Sequence, residues 1–255
     1  KCLDSKRQEA VALKITRNGR AFRNQAKQEI DILMKLSQIV NLSEFVARLI
    51  KVFEWKGHLV LSFELLSFNL YQLVRCTKFR GVSLELTRKF AWQMLQVLDA
   101  LGKHKPAIIH CDLKPENVLL KHNNRSGIRV IDFGSASNPL EEIPAGHVMS
   151  FVGTIHYMPP EMLENPDNTS PATDFWSLGV VLFEMLAGRR PFEGAYYALM
   201  NDIVERPVEF PPKFDPHAKD LIQKLMVKNP KDDYDGGSRG TIKTKGKRGP
   251  GFVKT

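Results

Sequence analysis

One stretch limits what this chain can fold into more than any other. The polar run His110-Cys111-Asp112-Leu113-Lys114-Pro115-Glu116-Asn117 lies between short apolar segments, and Asp132-Phe133-Gly134 follows fifteen residues after Asn117. Phosphoryl transfer needs few covalent participants. It requires a carboxylate to orient and deprotonate the attacking hydroxyl, a cation beside the moving phosphate, and oxygen ligands for magnesium. Asp112 suits the first task and Lys114 the second. Asn117 and Asp132 offer the hard oxygens that Mg²⁺ prefers. A turn between two short strands would bring residues 112–117 and 132 to one cleft, so a chain built on this stretch must fold the two segments back on each other.

The rest of the pattern supplies a frame for that cleft. Glu9 to Ile15 reads as a strand ending near Lys14, and a helical stretch follows from about Arg23 to Leu36, with Ile30, Leu33, Met34 and Leu36 as its apolar stripe. Leu49 to Trp55 and His58 to Glu64 read as two strands around a turn at Lys56-Gly57. Beyond Leu66 the pattern becomes helical. Ser83 can cap a long helix whose Leu86, Phe90, Ala91, Met94, Val97, Leu98 and Leu101 share one face. Ile108 to Leu120 and Ile128 to Phe133 read as short extended runs. Asp174 to Ala187 is a helix too apolar for a surface, and Tyr196 to Val204 and Pro216 to Val227 follow as two more.

Charge and cysteine content narrow the class. The net charge is +9, and residues 231–255 hold seven Lys or Arg against three Asp. That tail reads as a disordered, solvated end rather than a nucleic-acid site. Cys2, Cys76 and Cys111 have no spacing that suggests a disulfide framework or zinc site, which points to a reducing cytoplasmic or nuclear compartment. No apolar run reaches the length of a membrane span, so no membrane partner is expected.

Taken in order, Val11-Ala12-Leu13-Lys14, a helical Glu29, the run 110–117, Asp132-Phe133-Gly134 and Pro159-Pro160-Glu161 resemble the motif set of eukaryotic protein kinases. The resemblance implies an α+β, bilobal fold with a small antiparallel sheet lobe over residues 1–66, a helical lobe over 67–230, and the tail 231–255. It also implies ATP and Mg²⁺ as cofactors and a protein as substrate. Lys14 then resembles the lysine that holds the α- and β-phosphates, with Glu29 as its ion-pair partner. Ala12 and Leu119 would sandwich adenine, a bulky Phe63 would close the pocket behind it, and the backbone of Glu64 and Leu66 would pair with the adenine edge. Asp112, Lys114, Asn117 and Thr154 would be catalytic, Asn117 and Asp132 would hold the metal, and Asp174 would brace the loop.

Residues 1–135 resemble the dual-specificity tyrosine-regulated kinases, on Ala21-Phe22-Arg23-Asn24-Gln25-Ala26, on Glu64 through Tyr71, and on Phe79 through Ala91. Cys111 and Ser135 fit that family too. The activation segment departs from that family, since no tyrosine pair precedes Pro159 and Met158 stands where an arginine would favour proline-directed substrates. On His147 through Glu161 and on Phe210-Pro211-Pro212-Lys213-Phe214 through Leu225, the stretch 145–230 resembles the phosphoinositide-dependent kinase and its relatives. Thr154 follows the serine/threonine-kinase pattern, and Ser150 falls at a phosphorylation position, although Cys111 replaces the arginine that would receive the phosphate. Lys1 to Asp4 resembles the strand after a Gly-rich loop, and Asp232-Asp233 stands where an arginine would meet Glu161. The expected function is therefore a protein serine/threonine kinase, with lobes shortened at both ends. The alternative is a catalytically inactive kinase-like scaffold.

Overall fold

A computed structural model describes residues 1–39, 42–122, 126–137 and 154–228. The Ser150 site, the tail 231–255 and residues 145–153 lie outside them. Four strands open the chain's order: β1 (Cys2–Asp4), β2 (Glu9–Ile15), and, after a helix, β3 (Leu49–Trp55) and β4 (His58–Glu64). They form one antiparallel sheet in the order β1-β2-β4-β3. Register places Ala12 opposite Phe63 and Lys14 opposite Leu61. Since cross-strand partners share a face, these four side chains project to the same side.

The helix between β2 and β3, α1 (Arg20–Ser37), lies on that side. It starts three residues earlier than the apolar pattern suggests, because Gly19 at φ 134° turns the chain into it. Its buried residues are Ala26, Glu29, Ile32, Leu33 and Leu36, a stripe at helical spacing. Met34, expected on that stripe, is instead 56% exposed, and Ile30 is only partly buried. The helix is rotated so that the carboxylate of Glu29, not a further apolar side chain, enters the interior. Ala26, Leu59 and Leu61 form the small core between helix and sheet, with Phe63 packed against both this cluster and the larger one below.

The larger core is helical. Helix α2 (Leu70–Cys76) starts in a reciprocal cap between Asn69 and Gln72. Helix α3 (Leu84–Lys103) starts at Ser83, whose hydroxyl accepts from Leu86 N. Of its predicted face, Phe90, Ala91, Met94, Val97, Leu98 and Leu101 are buried, while Leu86 is half-buried. The segment 108–120 is not one extended run. Cys111 adopts φ 63°, and Pro115–Asn117 form a 3₁₀ turn, so only β5 (Val118–Leu120) is a strand, paired antiparallel with β6 (Ile128–Val130). After α4 (Pro160–Glu164), α5 (Pro171–Ala187) runs through the centre, buried on nearly every side from Thr173 to Met185. Proline at its first turn lets it begin three residues before Asp174. Helices α6 (Tyr196–Glu205) and α7 (Pro216–Leu225) complete the described chain.

The apolar α5 carries four buried polar side chains of consequence, Thr173, Asp174, Ser177 and Glu184. The last three reach out of the helix. Ser177 Oγ lies 2.7 Å from Tyr157 O, Glu184 accepts from the Tyr157 hydroxyl at 2.6 Å, and Asp174 meets the 110–117 turn. The central helix thus fixes both the Tyr157 segment and the 110–117 turn.

Candidate active site

Three of the predicted residues converge around Asp112. Lys114 Nζ donates to Asp112 Oδ2 at 2.7 Å and to Thr154 Oγ1 at 2.9 Å. The Thr154 hydroxyl donates to Asp112 Oδ1 at 3.2 Å. Asn117 Nδ2 donates to Asp112 O at 2.8 Å and to its Oδ2 at 3.1 Å. Both oxygens of Asp112 are therefore held, and its side chain keeps an exposure of 12%. With the Asn117 nitrogen committed twice, its amide oxygen is the end left to face a cation.

A second group lies under the sheet. Lys14 Nζ stands 2.8 and 2.7 Å from the two oxygens of Glu29, and 2.6 Å from Asp132 Oδ1. Burial works against the Lys14 charge, but Glu29 and then Asp132 outweigh it and raise its pKa. Burial also raises the pKa of Glu29, with Lys14 pulling it back. For Asp132 burial is outweighed by Lys14, so its carboxyl is held below the usual range. A shared ammonium thus keeps Asp132 ionised. Asp132 sits in the left-handed region at φ 64° and accepts from Gly134 N at 3.4 Å, a turn that aims its carboxylate upward at Lys14.

The turn carrying Asp112 is anchored from behind. Asp174, 3% exposed, accepts from His110 N at 2.7 Å and from Cys111 N at 3.0 Å. Burial raises its pKa, and the two N–H groups that it accepts from oppose the shift. Cys111 faces Ser137, not a phosphate-binding guanidinium, and burial followed by Asp174 pushes its thiol up to about 12.

The residues expected to border adenine fall where the register puts them. Ala12 and Phe63 are opposite each other at the roof, Leu119 lies in the β5–β6 ribbon, and Glu64 ends β4, with Leu65 and Leu66 after it. Three further contributors escaped the sequence reading. His110 is fully buried, accepts from Asp112 N through Nδ1 at 3.3 Å, reaches Ile131 O at 3.0 Å, and packs edge-on against Phe133. Gln25 and Gln28 of α1 donate to Gly134 O and Ala136 O. Their spacing on the helix face flanking Glu29 was the available signal. Among the described residues no group of three or more His, Cys, Asp or Glu gathers as a metal site. One amide and one carboxylate nonetheless fit Mg²⁺, which takes few protein ligands and completes its shell with phosphates and water.

A charged cleft between a small antiparallel sheet and a helical lobe, with Lys14–Glu29 above and Asp112, Asn117 and Asp132 below, defines a class. Residues 1–234 match the protein kinase domain family, and the chain belongs to it. It is similar to the dual specificity tyrosine-phosphorylation-regulated kinase 3 of Macaca fascicularis, at 41% identity over 215 residues covering 82% of this chain and 36% of that protein. The Homo sapiens kinase of that name gives 41% over 215 residues, covering 82% of this chain and 35% of its own length. A putative homolog from Drosophila melanogaster is 44% identical over 195 residues, covering 76% and 23%. The chain thus spans about a third or less of the relatives it matches. Alignments of this length also extend the similarity beyond residue 135, where the sequence resemblance had been placed.

Proposed function

We propose that this chain is the catalytic core of a protein serine/threonine kinase, transferring the γ-phosphoryl group of ATP to a side-chain hydroxyl of a protein substrate. The observation that carries the reading is the closed set of contacts among Asp112, Lys114, Thr154 and Asn117. In it, Asp112 orients the attacking hydroxyl and accepts its proton as the new O–P bond forms and the bond to the ADP oxygen breaks. Lys114 neutralises charge gathering on the moving group. Thr154 holds aspartate and lysine in one geometry. Lys14, steadied by Glu29, engages the α- and β-phosphates. Ala12 and Leu119 enclose adenine, and the backbone of Glu64 and Leu66 borders it.

Asn117 and Asp132 would hold Mg²⁺, which when bound draws negative charge off the phosphate oxygens. The proposal divides the chain into a nucleotide-side lobe over 1–66, a substrate-side lobe over 67–230 and a basic segment 231–255, and assigns it to the cytoplasm or nucleus without a nucleic-acid role. Among the described residues no helix is long and apolar enough to cross a membrane. Resemblance of 145–230 to the phosphoinositide-dependent kinase group goes with Met158, which is buried in place of an arginine. Proline-directed substrates are therefore not proposed.

The scaffold alternative draws on one observation. Glu161 Oε2 is buried without a hydrogen-bond partner among the described residues, and burial raises its pKa. Transfer from Mg²⁺-ATP to a basic protein substrate, measured beside Asp112→Asn, separates the two. Transfer that the substitution abolishes supports the kinase; a folded chain that transfers nothing supports the scaffold.

A further inference from the structure

An ion pair between a buried arginine and a half-buried glutamate lies outside the cluster of reacting groups. Arg129 Nε is 3.3 Å from Glu64 Oε1, with the side chains only 8% and 18% exposed. Arg129 Nη1 also donates to Ile128 O at 3.3 Å. The same Glu64 oxygen accepts from Arg48 N at 2.9 Å, while Glu64 N donates to Arg48 O at 3.2 Å. Three segments therefore meet at one carboxylate: β6, the end of β4, and the stretch 45–48. That stretch is itself tied to β6, through Ala47 N to Val130 O and Val130 N to Phe45 O.

Arg129 has a second relation to the same pocket. In the β5–β6 ribbon it is the register partner of Leu119, and cross-strand partners project to one face. Removing an arginine and a glutamate from water is costly, and a well-packed apolar pair of similar volume would serve stability as well. A guanidinium, always charged and planar, provides direction that an apolar pair lacks.

We infer that Arg129 is a positioning residue for nucleotide binding. It holds Glu64 so that the backbone of 64–66 presents a fixed edge to adenine, and its pairing with Leu119 ties that edge to the floor of the pocket. The inference rests on the proposed reading of Ala12, Glu64, Leu66 and Leu119 as the adenine site and adds a residue no motif marks.

The test separates base from phosphate, using binding of adenosine and of magnesium tripolyphosphate to the 255-residue chain. Adenosine meets only the edge, roof and floor, whereas tripolyphosphate meets the Lys14 and Asp132 side. Arg129→Met is expected to weaken adenosine about tenfold, the equivalent of one lost charge-assisted hydrogen bond. Tripolyphosphate should bind as before, KM for ATP should rise with kcat unchanged, and Arg129→Lys should restore part of the affinity. Should Arg129→Met not fold, the isosteric Glu64→Gln carries the same base-selective loss. A variant that melts like the wild type and binds adenosine equally well overturns the inference, as does an equal loss for both ligands. A wild-type chain that binds tripolyphosphate but not adenosine overturns the adenine reading itself.

Discussion

Asp174→Asn tests how the reacting turn is held. The aspartate lies within α5, 3% exposed, and its two oxygens take the N–H groups of His110 and Cys111 at 2.7 and 3.0 Å. Cys111 is at φ 63°, a conformation that costs a non-glycine residue roughly 1–3 kcal/mol and persists only where its surroundings impose it. Asparagine keeps the shape but turns one acceptor into a donor, so one backbone N–H loses its partner and meets another N–H. The charge-assisted bond is worth about 1.5–3 kcal/mol and the orphaned N–H costs about 1–3 kcal/mol. Relief of a buried charge returns part of that sum. A net loss of about 3 kcal/mol lowers the melting temperature by about 6–12 °C for a domain of this size. Because the turn that relaxes carries Asp112, turnover should fall by about a hundredfold if the same energy is lost at the transition state. Circular dichroism melts and single-turnover transfer at saturating ATP read the two effects. A variant melting within about 1 °C of the wild type would show that the carboxylate does not hold the turn.

Three further outcomes follow from particular contacts. In Lys14→Met, Glu29 loses its counter-charge. Its folded pKa is already raised above 4.5 by burial, so the folded state holds the proton more tightly, and stability should drop as pH rises from about 5 to 8. The wild type, in which Lys14 pulls the Glu29 pKa back, should show a smaller drop over that range and should also lose stability as pH falls below 3.8, because Lys14 lowers the pKa of Asp132; urea titrations at several pH values that give parallel curves for both chains would refute this. In Gly188→Ala, a Cβ would stand 1.9 Å from Phe79 O at φ 73°, so the urea midpoint should fall by the equivalent of at least about 2 kcal/mol; an unchanged midpoint would contradict the packing. Finally, an aromatic disulfide reagent at pH 8 should titrate the exposed Cys2 and Cys76 in the native chain and Cys111 only after denaturation, since burial pushes that thiol up to about 12.

The elements were largely legible because each announces itself locally. Strands β2, β3 and β4 fall on the residues the alternation suggested, and α3 begins at the serine that caps it. The misses also have local causes. Met34 satisfies the helical period as well as Ile32 does, and only the neighbouring sheet decides which one is buried. The run 108–120 has strand composition, but a left-handed Cys111 and a proline turn break it.

The candidate site was legible in its proposed reacting groups and, through the resemblance, in Glu29 and Asp174, but not in the rest of the layer behind them. Asp112, Asn117 and Asp132 stand in recognisable order, whereas what holds them comes from distant residues of ordinary type. Tyr157 reaches Glu184 across 27 positions, Arg129 reaches Glu64 across 65, and Gln25 reaches Gly134 across 109. A glutamine on an exposed helix turn carries no mark that distinguishes a solvated side chain from one that ties α1 to the Asp132 turn. The Gln25 tie holds α1 beside the Asp132 turn, where Lys14 meets Glu29 and Asp132 at once. The reacting residues are constrained by chemistry, which sequence displays, while their supports are constrained by geometry alone, which many residue types can satisfy. Physical reading of a sequence of this kind should therefore find its reacting groups before the residues that position them.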